Sequence, residues 1–301
     1  VIEKIKEQVS KGLTFFTNNS SGLELAEEIC NAVSCAEQVR YVSTGAEADM
    51  YAIRLARAYT SRTKIIKFEG GYHGMCAEAQ MSLAPNKLIN FPQALPDSAG
   101  IPKSVENEIL IAPFNDIEFI ENLLLEYGDE VAGIIVEPFQ RIIPPRKGFL
   151  EGLRKLADKY QIMLIFDEIV TGFRFKYGGA QELYSVKPDI CTLGKIIGGG
   201  FPLAAVVASK DIMSCFDLEI VGKEKWLMQL GTLSGNPIAC VAGLKTLEIL
   251  RRNGVYEKLY EIGLKIMNII KEELRFQGIE HQIVGHETLF DVVFNKKTIK
   301  N

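Results

Sequence analysis

Short, unbroken runs of Val, Ile and Leu alternate with amphipathic stretches along most of this chain. That rhythm constrains the fold more than any single motif. The apolar runs are Gln38–Ser43, Lys64–Phe68, Ile109–Ala112, Ala132–Val136, Met163–Phe166, Asp189–Thr192 and Ala204–Ala208. Several lack polar alternation, as strands buried on both faces do. Between and after them, helical periodicity marks Ala46–Thr60, Ile117–Tyr127, Gly148–Tyr160 and Pro237–Arg252. Strand–helix alternation predicts an α/β fold, with a mostly parallel sheet flanked by helices. In such sheets ligands bind beyond the carboxyl ends of the strands, so residues that follow an apolar run are the site candidates.

The alternation fails between Met81 and Glu108, where Pro85, Pro92, Pro96 and Pro102 predict a long loop of functional character. From Asn236-Pro237 a helical region runs to about Gln277, with a break at Asn253-Gly254. It is expected to lead into a smaller second domain, dividing the chain into residues 1–245 and 246–301. Val1 opens inside a helical pattern, and Leu289–Phe294 reads as a strand followed by a polar tail to Asn301. Both ends therefore suggest a piece of a longer chain.

The 301 residues, 47% hydrophobic, suffice for one large core and part of a second. With 34 basic and 38 acidic residues interspersed, the chain lacks the footprint of a nucleic-acid or membrane-surface protein. The six cysteines show no metal-type spacing, and the three histidines are scattered. Reduced thiols, no structural metal and a cytoplasmic location are the expectation. No apolar run is long enough to span a bilayer.

Several segments carry chemistry. Lys195 lies between an apolar run and the turn Gly198-Gly199-Gly200. A tight, poorly hydrated setting is expected there, which favours the free amine and Schiff-base formation with carbonyl compounds. A surface lysine in a glycine-rich loop is the competing reading. Ser43-Thr44-Gly45-Ala46 joins a strand to a helix, and its free N–H groups suit an anion, or serve only as a turn. Tyr72 and His73, bracketed by glycines after a strand, suit a planar ligand. Glu137 follows an apolar strand, either as a site carboxylate or as a structural partner of a helix end. Asp167 ends another, where burial demands a cation: a protonated pyridine nitrogen, or a metal. A lysine, an acid, an anion cradle and a flat wall together match the needs of pyridoxal 5'-phosphate (PLP).

With these motifs, and with Gly231-Thr232-Leu-Ser-Gly-Asn-Pro237, the chain resembles the class III PLP-dependent aminotransferases of the type I fold. It is most similar to the glutamate-1-semialdehyde 2,1-aminomutase branch, from about Gln38 to Gln277. The resemblance implies a large PLP-binding domain and the start of a small C-terminal α+β domain. It implies Lys195 as the Schiff-base and proton-shuttling lysine, and Asp167 as partner of the ring nitrogen. Gly45 and Ala46 would bind the phosphate, with Tyr72 stacked on the ring and His73 beside it. Gln140 would approach the ring hydroxyl, and Thr232 would reach the phosphate of a neighbouring subunit in a homodimer.

Two departures stand out. Ala46 replaces the usual Ser or Thr, and Phe139-Gln140-Arg141-Ile142 replaces a small residue and glycine. Arg141 either clamps a substrate carboxylate, with Glu137 nearby, or faces solvent. The expected activity is amino-group transfer on a small amino acid or amino-aldehyde, of the aminomutase type. The alternatives are an ω- or β-amino-acid transaminase with a 2-oxo acid acceptor, a non-catalytic binding or regulatory module of this fold, and a nucleotide-binding α/β domain built on Gly194–Gly200. The last lacks the glycine pattern of the known phosphate loops.

Overall fold

The computed structural model describes residues 1–15, 17–84 and 90–295. Pro85 and the tail beyond 295 lie outside them. The strands are β1 (Gln38–Val42), β2 (Lys64–Phe68), β3 (Ile109–Ala112), β4 (Val131–Val136), β5 (Met163–Glu168), β6 (Ile190–Leu193), β7 (Ala204–Ala208), β8 (Gln282–His286) and β9 (Leu289–Val293). The first seven form one sheet in the order β1-β7-β6-β5-β4-β2-β3. Neighbours from β6 through β5, β4 and β2 to β3 pair in parallel. Only β7 runs against its neighbours, β6 and β1. Because β1 opposes β7 and β7 opposes β6, β1 shares the direction of β6. The carboxyl ends of β1, β2, β4, β5 and β6 therefore emerge on one edge, the edge that carries the Gly45, Tyr72, Glu137, Asp167 and Lys195 segments.

The anticipated strands are each present, with ends shifted by a residue or two. On one face of the sheet, Ile65, Ile165, Ile190 and Val206 pack against Ala48, Ala52, Ile53 and Ala56 of the Gly45–Thr60 helix. On the other, Phe68, Ile134 and Phe166 meet Leu123, Leu150 and Leu153 of the Ile117–Tyr127 and Phe149–Tyr160 helices. Each fully buried side chain of this size contributes roughly 1.5–3 kcal/mol. A third cluster joins β6 and β7 to the Ser20–Ala32 and Pro237–Leu250 helices.

One boundary needs correction. The proline-marked segment ends at Pro102, because Lys103–Glu108 is a helix with Pro102 in its N-cap position. Proline suits a helix entrance, since its fixed φ is compatible and its missing N–H is not needed there. The helical region after Asn236 splits into Pro237–Leu250 and Val255–Phe276, with Gly254 between them at φ 77°. Beyond it, β8 and β9 form a separate antiparallel hairpin.

Candidate active site

A cavity of about 600 Å³ opens on the carboxyl edge of the sheet. Gly45, Ala46, Tyr72, Glu137, Arg141, Asp167 and Lys195 all line it. These residues span five separate segments, so the tertiary fold assembles what the sequence scattered.

The Gly45–Thr60 helix presents its amino end to the cavity. Thr44 caps it in a reciprocal box: the Glu47 N–H donates to Thr44 Oγ1, while the Glu47 carboxylate accepts from the Thr44 and Ser43 N–H groups. The N–H groups of Gly45 and Ala46 face no carbonyl of the first turn and remain for an anion. Ala46 is tightly seated. A Cβ placed on Gly74, which has φ 86°, would lie 2.5 Å from the Ala46 Cα. Glycine at 74 thus lets the Tyr72-His73 turn approach the helix end closely.

Asp167 projects from β5 on the face covered by that helix, in register with Thr192 of β6. It is 5% exposed. Its Oδ2 lies 2.8 Å from His73 Nδ1, and its Oδ1 accepts the Ile169 N–H at 3.0 Å. Burial pushes His73 below its usual range despite the pull of Asp167. The ring is therefore neutral near pH 7, with its proton on Nδ1 facing the carboxylate. The next residue, Glu168, points to the opposite face, where Thr171, Ala180 and Gln181 donate to it. It is structural, and does not form a carboxylate pair with Asp167.

The three histidines were read as scattered, and one of them, His73, lies with two acids. Side-chain atoms of Asp49, His73 and Asp167 lie within 4.8 Å of one another. A metal between two such groups needs about 2.0–2.2 Å to each donor. His73 and Asp167 instead meet at hydrogen-bond distance, with those atoms spent on each other. Asp49 went unmarked in the sequence. Its signal is an acid on the apolar stripe Ala48, Asp49, Ala52, Ile53 and Ala56 of an amphipathic helix.

Glu137 follows β4, is buried, and accepts the Tyr72 N–H at 3.0 Å. Burial, then the charge of Asp167, pushes its carboxyl up to about 7. Arg141 stands at the cavity mouth with its guanidinium 5.2 Å from the centre of the Tyr72 ring. Its Nε donates to the Gly70 carbonyl at 3.1 Å. Gln140 is turned away. Its Nε2 donates to the Glu69 carbonyl, and its buried Oε1 has no partner.

Lys195 begins the short 3₁₀ turn Lys195–Gly198 directly after β6. Its backbone is left-handed at φ 44°, a strained state for a side chain that bears a Cβ. The turn is held from behind by the Pro237–Leu250 helix. A Cβ on Gly243 would lie 1.9 Å from the Ile197 carbonyl oxygen, so only glycine permits this approach. Within one chain, however, Lys195 is exposed. The expectation of a poorly hydrated lysine is not met by this chain's own side chains, because the turn sits on the rim of the cavity. Thr232 is also exposed and lies outside the cavity lining. The described part of the Met81–Pro102 segment does not line it either. Ile142, Ile169, Val170 and Leu289 of the hairpin add apolar wall to it, and sequence reasoning assigned none of them to the site.

A family model described as Aminotransferase class-III matches residues 1–299. The chain is 40% identical over 302 residues to the glutamate-1-semialdehyde 2,1-aminomutase of Aquifex aeolicus (strain VF5), a match covering 99% of this chain and 69% of that protein. It is similar to the solved structure of an omega-transaminase from Sphaerobacter thermophilus: TM-score 0.90, 36% identity, 98% of this chain and 68% of that one. A glutamate-1-semialdehyde-aminomutase from Pseudomonas aeruginosa PAO1 matches with a TM-score of 0.84 at 22% identity, over 99% of this chain and 66% of that one, a likeness of fold alone.

Proposed function

The chain belongs to the class III aminotransferases, PLP-dependent enzymes, and on that footing we propose that it moves an amino group on a small amino-aldehyde or amino acid, in the manner of a glutamate-1-semialdehyde aminomutase. The observation that carries this reading is the convergence of Gly45, Ala46, Tyr72, Asp167 and Lys195 on one cavity.

The residues suit the cofactor. Two unspent helix-end N–H groups fit a phosphate, and a buried carboxylate without a full counter-charge fits a pyridinium. When bound, PLP supplies an electron sink for the carbon that carries the amino group. The Gly45 and Ala46 N–H groups bind its phosphate. Asp167 holds the proton on the ring nitrogen, and the His73 Nδ1–H and Ile169 N–H fix the carboxylate in place. Tyr72 covers a ring face. Lys195 would hold the cofactor covalently through its Nζ, and as a free amine would take and return the proton of the substrate carbon. Arg141, stacked on Tyr72, takes a substrate carboxylate through its free guanidinium edge, and Glu137 faces the same space. Gln140 supports the turn that carries Tyr72 through its bond to the Glu69 carbonyl, and would need to swing out of that contact to approach the ring hydroxyl. Thr232 reaches the phosphate held by a second copy, in a cytoplasmic homodimer. Residues 246–301 begin a second domain, of which the β8–β9 hairpin is the first sheet.

Borohydride treatment of the PLP-loaded protein is expected to fix the cofactor on the peptide containing Lys195. Lys195→Ala is expected to lose both fixation and turnover; full turnover by that variant would overturn the assignment. Glutamate-1-semialdehyde is expected to be converted without any added 2-oxo acid. A strict need for such an acceptor would favour the second reading, an ω- or β-amino-acid transaminase. Arg141 and the Phe139–Ile142 segment, together with the likeness to the omega-transaminase, support that alternative.

A further inference from the structure

Asp49 is 2% exposed and reaches the cavity from the helix that supplies the phosphate turn. Its Oδ1 lies 2.7 Å from Thr192 Oγ1, which in turn lies 3.5 Å from Asp167 Oδ1. On its other oxygen Asp167 meets His73. We propose that Asp49 is a positioning residue of the cofactor site, the outer end of a hydrogen-bond chain Asp49–Thr192–Asp167 that holds the Asp167 carboxylate toward the ring nitrogen. The proposal rests on the reading of the cavity as a PLP site.

The chemistry follows from the donors available. Two buried carboxyls this close do not both stay ionised readily, since each meets the other's charge at short range. Asp167 accepts a backbone N–H and an imidazole N–H, so the negative charge is stabilised there. Asp49 meets the Thr192 hydroxyl and the Asp167 carboxylate itself, with no N–H group among its partners, so the proton that the two acids need between them resides on Asp49. As a neutral acid it donates to Thr192 Oγ1, which frees the Thr192 hydrogen for Asp167. Thr192 Oγ1 then accepts from Asp49 and donates to Asp167, so each link of the chain joins a donor to an acceptor.

The groups facing Asp49 agree with this assignment. Asp167 on β5 and Glu137 after β4 are both acids, and with burial they push Asp49 well above the usual carboxyl range. His73, after β2, is neutral, as argued above. Lys67 on β2 and Arg141 direct their charges at Glu137 and His73. The ring nitrogen therefore meets one anion held from three directions, and not two competing anions.

The PLP-loaded protein and its Asp49→Asn, Asp49→Leu and Thr192→Val variants test this. Two quantities are read: the PLP dissociation constant by equilibrium dialysis, and the pH midpoint of the bound cofactor's visible absorption. Asparagine is neutral and can still donate, so Asp49→Asn is expected to keep both close to wild type. Asp49→Leu and Thr192→Val break the chain, and each is expected to weaken PLP binding about tenfold and to shift the midpoint. If Asp49→Asn moved the midpoint as far as Asp49→Leu, Asp49 would act as a charge and the proposal would fail. It would fail equally if Asp49→Leu matched wild type. Should Asp49→Leu not fold, the contrast between Asp49→Asn and Thr192→Val decides. Failure of the wild-type protein to bind PLP would overturn the site reading itself, an outcome distinct from the variant results.

Discussion

Burial of Glu137 and Lys67 makes this fold sensitive to pH in two separate windows. Glu137 titrates at about 7 in the fold against 4.5 as a free side chain, so the folded state holds its proton more tightly. Stability from this group is full below about 4.5 and falls as pH rises toward 7. Glu137→Gln keeps an acceptor for the Tyr72 N–H and is expected to flatten that fall, as followed by the thermal midpoint of the cofactor-free protein. Lys67 is 1% exposed, donates to the Met81 carbonyl, and is lowered to about 8 by burial. Its fold prefers the neutral amine, so stability is lost as pH falls from 10.5 through 8. Lys67→Met is expected to remove the slope in that upper window. Glu137 was visible in the sequence because it follows an unbroken apolar strand; Lys67, inside β2, was not singled out, and only the packed neighbours set the direction of either shift. Asp167→Asn removes the charge while keeping the shape. It is expected to lower turnover by about a hundredfold or more, as single preorganised charges at reaction centres do.

At the scale of elements, two close approaches set the distance between the phosphate turn and the lysine. Ile169 lies between Gly45 and Gly194, 3.0 and 3.1 Å from where their Cβ atoms would stand. Behind Lys195, Gly243 brings the Pro237–Leu250 helix onto the Ile197 carbonyl. Gly243→Ala forces these elements apart and is expected to cost about 1–3 kcal/mol in denaturant unfolding, with weaker PLP binding as well. Restoring the family hydroxyl by Ala46→Ser is expected to tighten PLP several-fold, since a bond to a charged phosphate contributes about 1.5 kcal/mol. The strand ends that carry these residues were legible because a buried parallel strand reads as an unbroken apolar run. Helix-to-turn contacts such as Gly243 with Ile197 were not, because a glycine inside a helix looks alike whether it admits a backbone or faces space.

Across the whole molecule, the open side of the site is the telling feature. Lys195 and Thr232 are both exposed, while Asp167, His73 and Asp49 are buried. If the site is completed by a second copy, mixing Lys195→Ala and Thr232→Ala subunits yields hybrid dimers in which one of the two sites keeps both residues. Activity above that of either parent is the expected result, measured after joint refolding; no gain would oppose a shared site. The sequence by itself determined the alternating α/β fold and its mostly parallel sheet, and marked Lys195, Asp167, Gly45 and Tyr72 as candidates, which line one cavity. Each depends on local periodicity or on position after a strand, which a linear reading preserves. Only the tertiary structure decided that Asp49 joins Asp167 through Thr192, that Gln140 turns beneath its loop and that Lys195 stands on an open rim. Those outcomes depend on which faces meet across the sheet, a property of packing that no window of sequence contains.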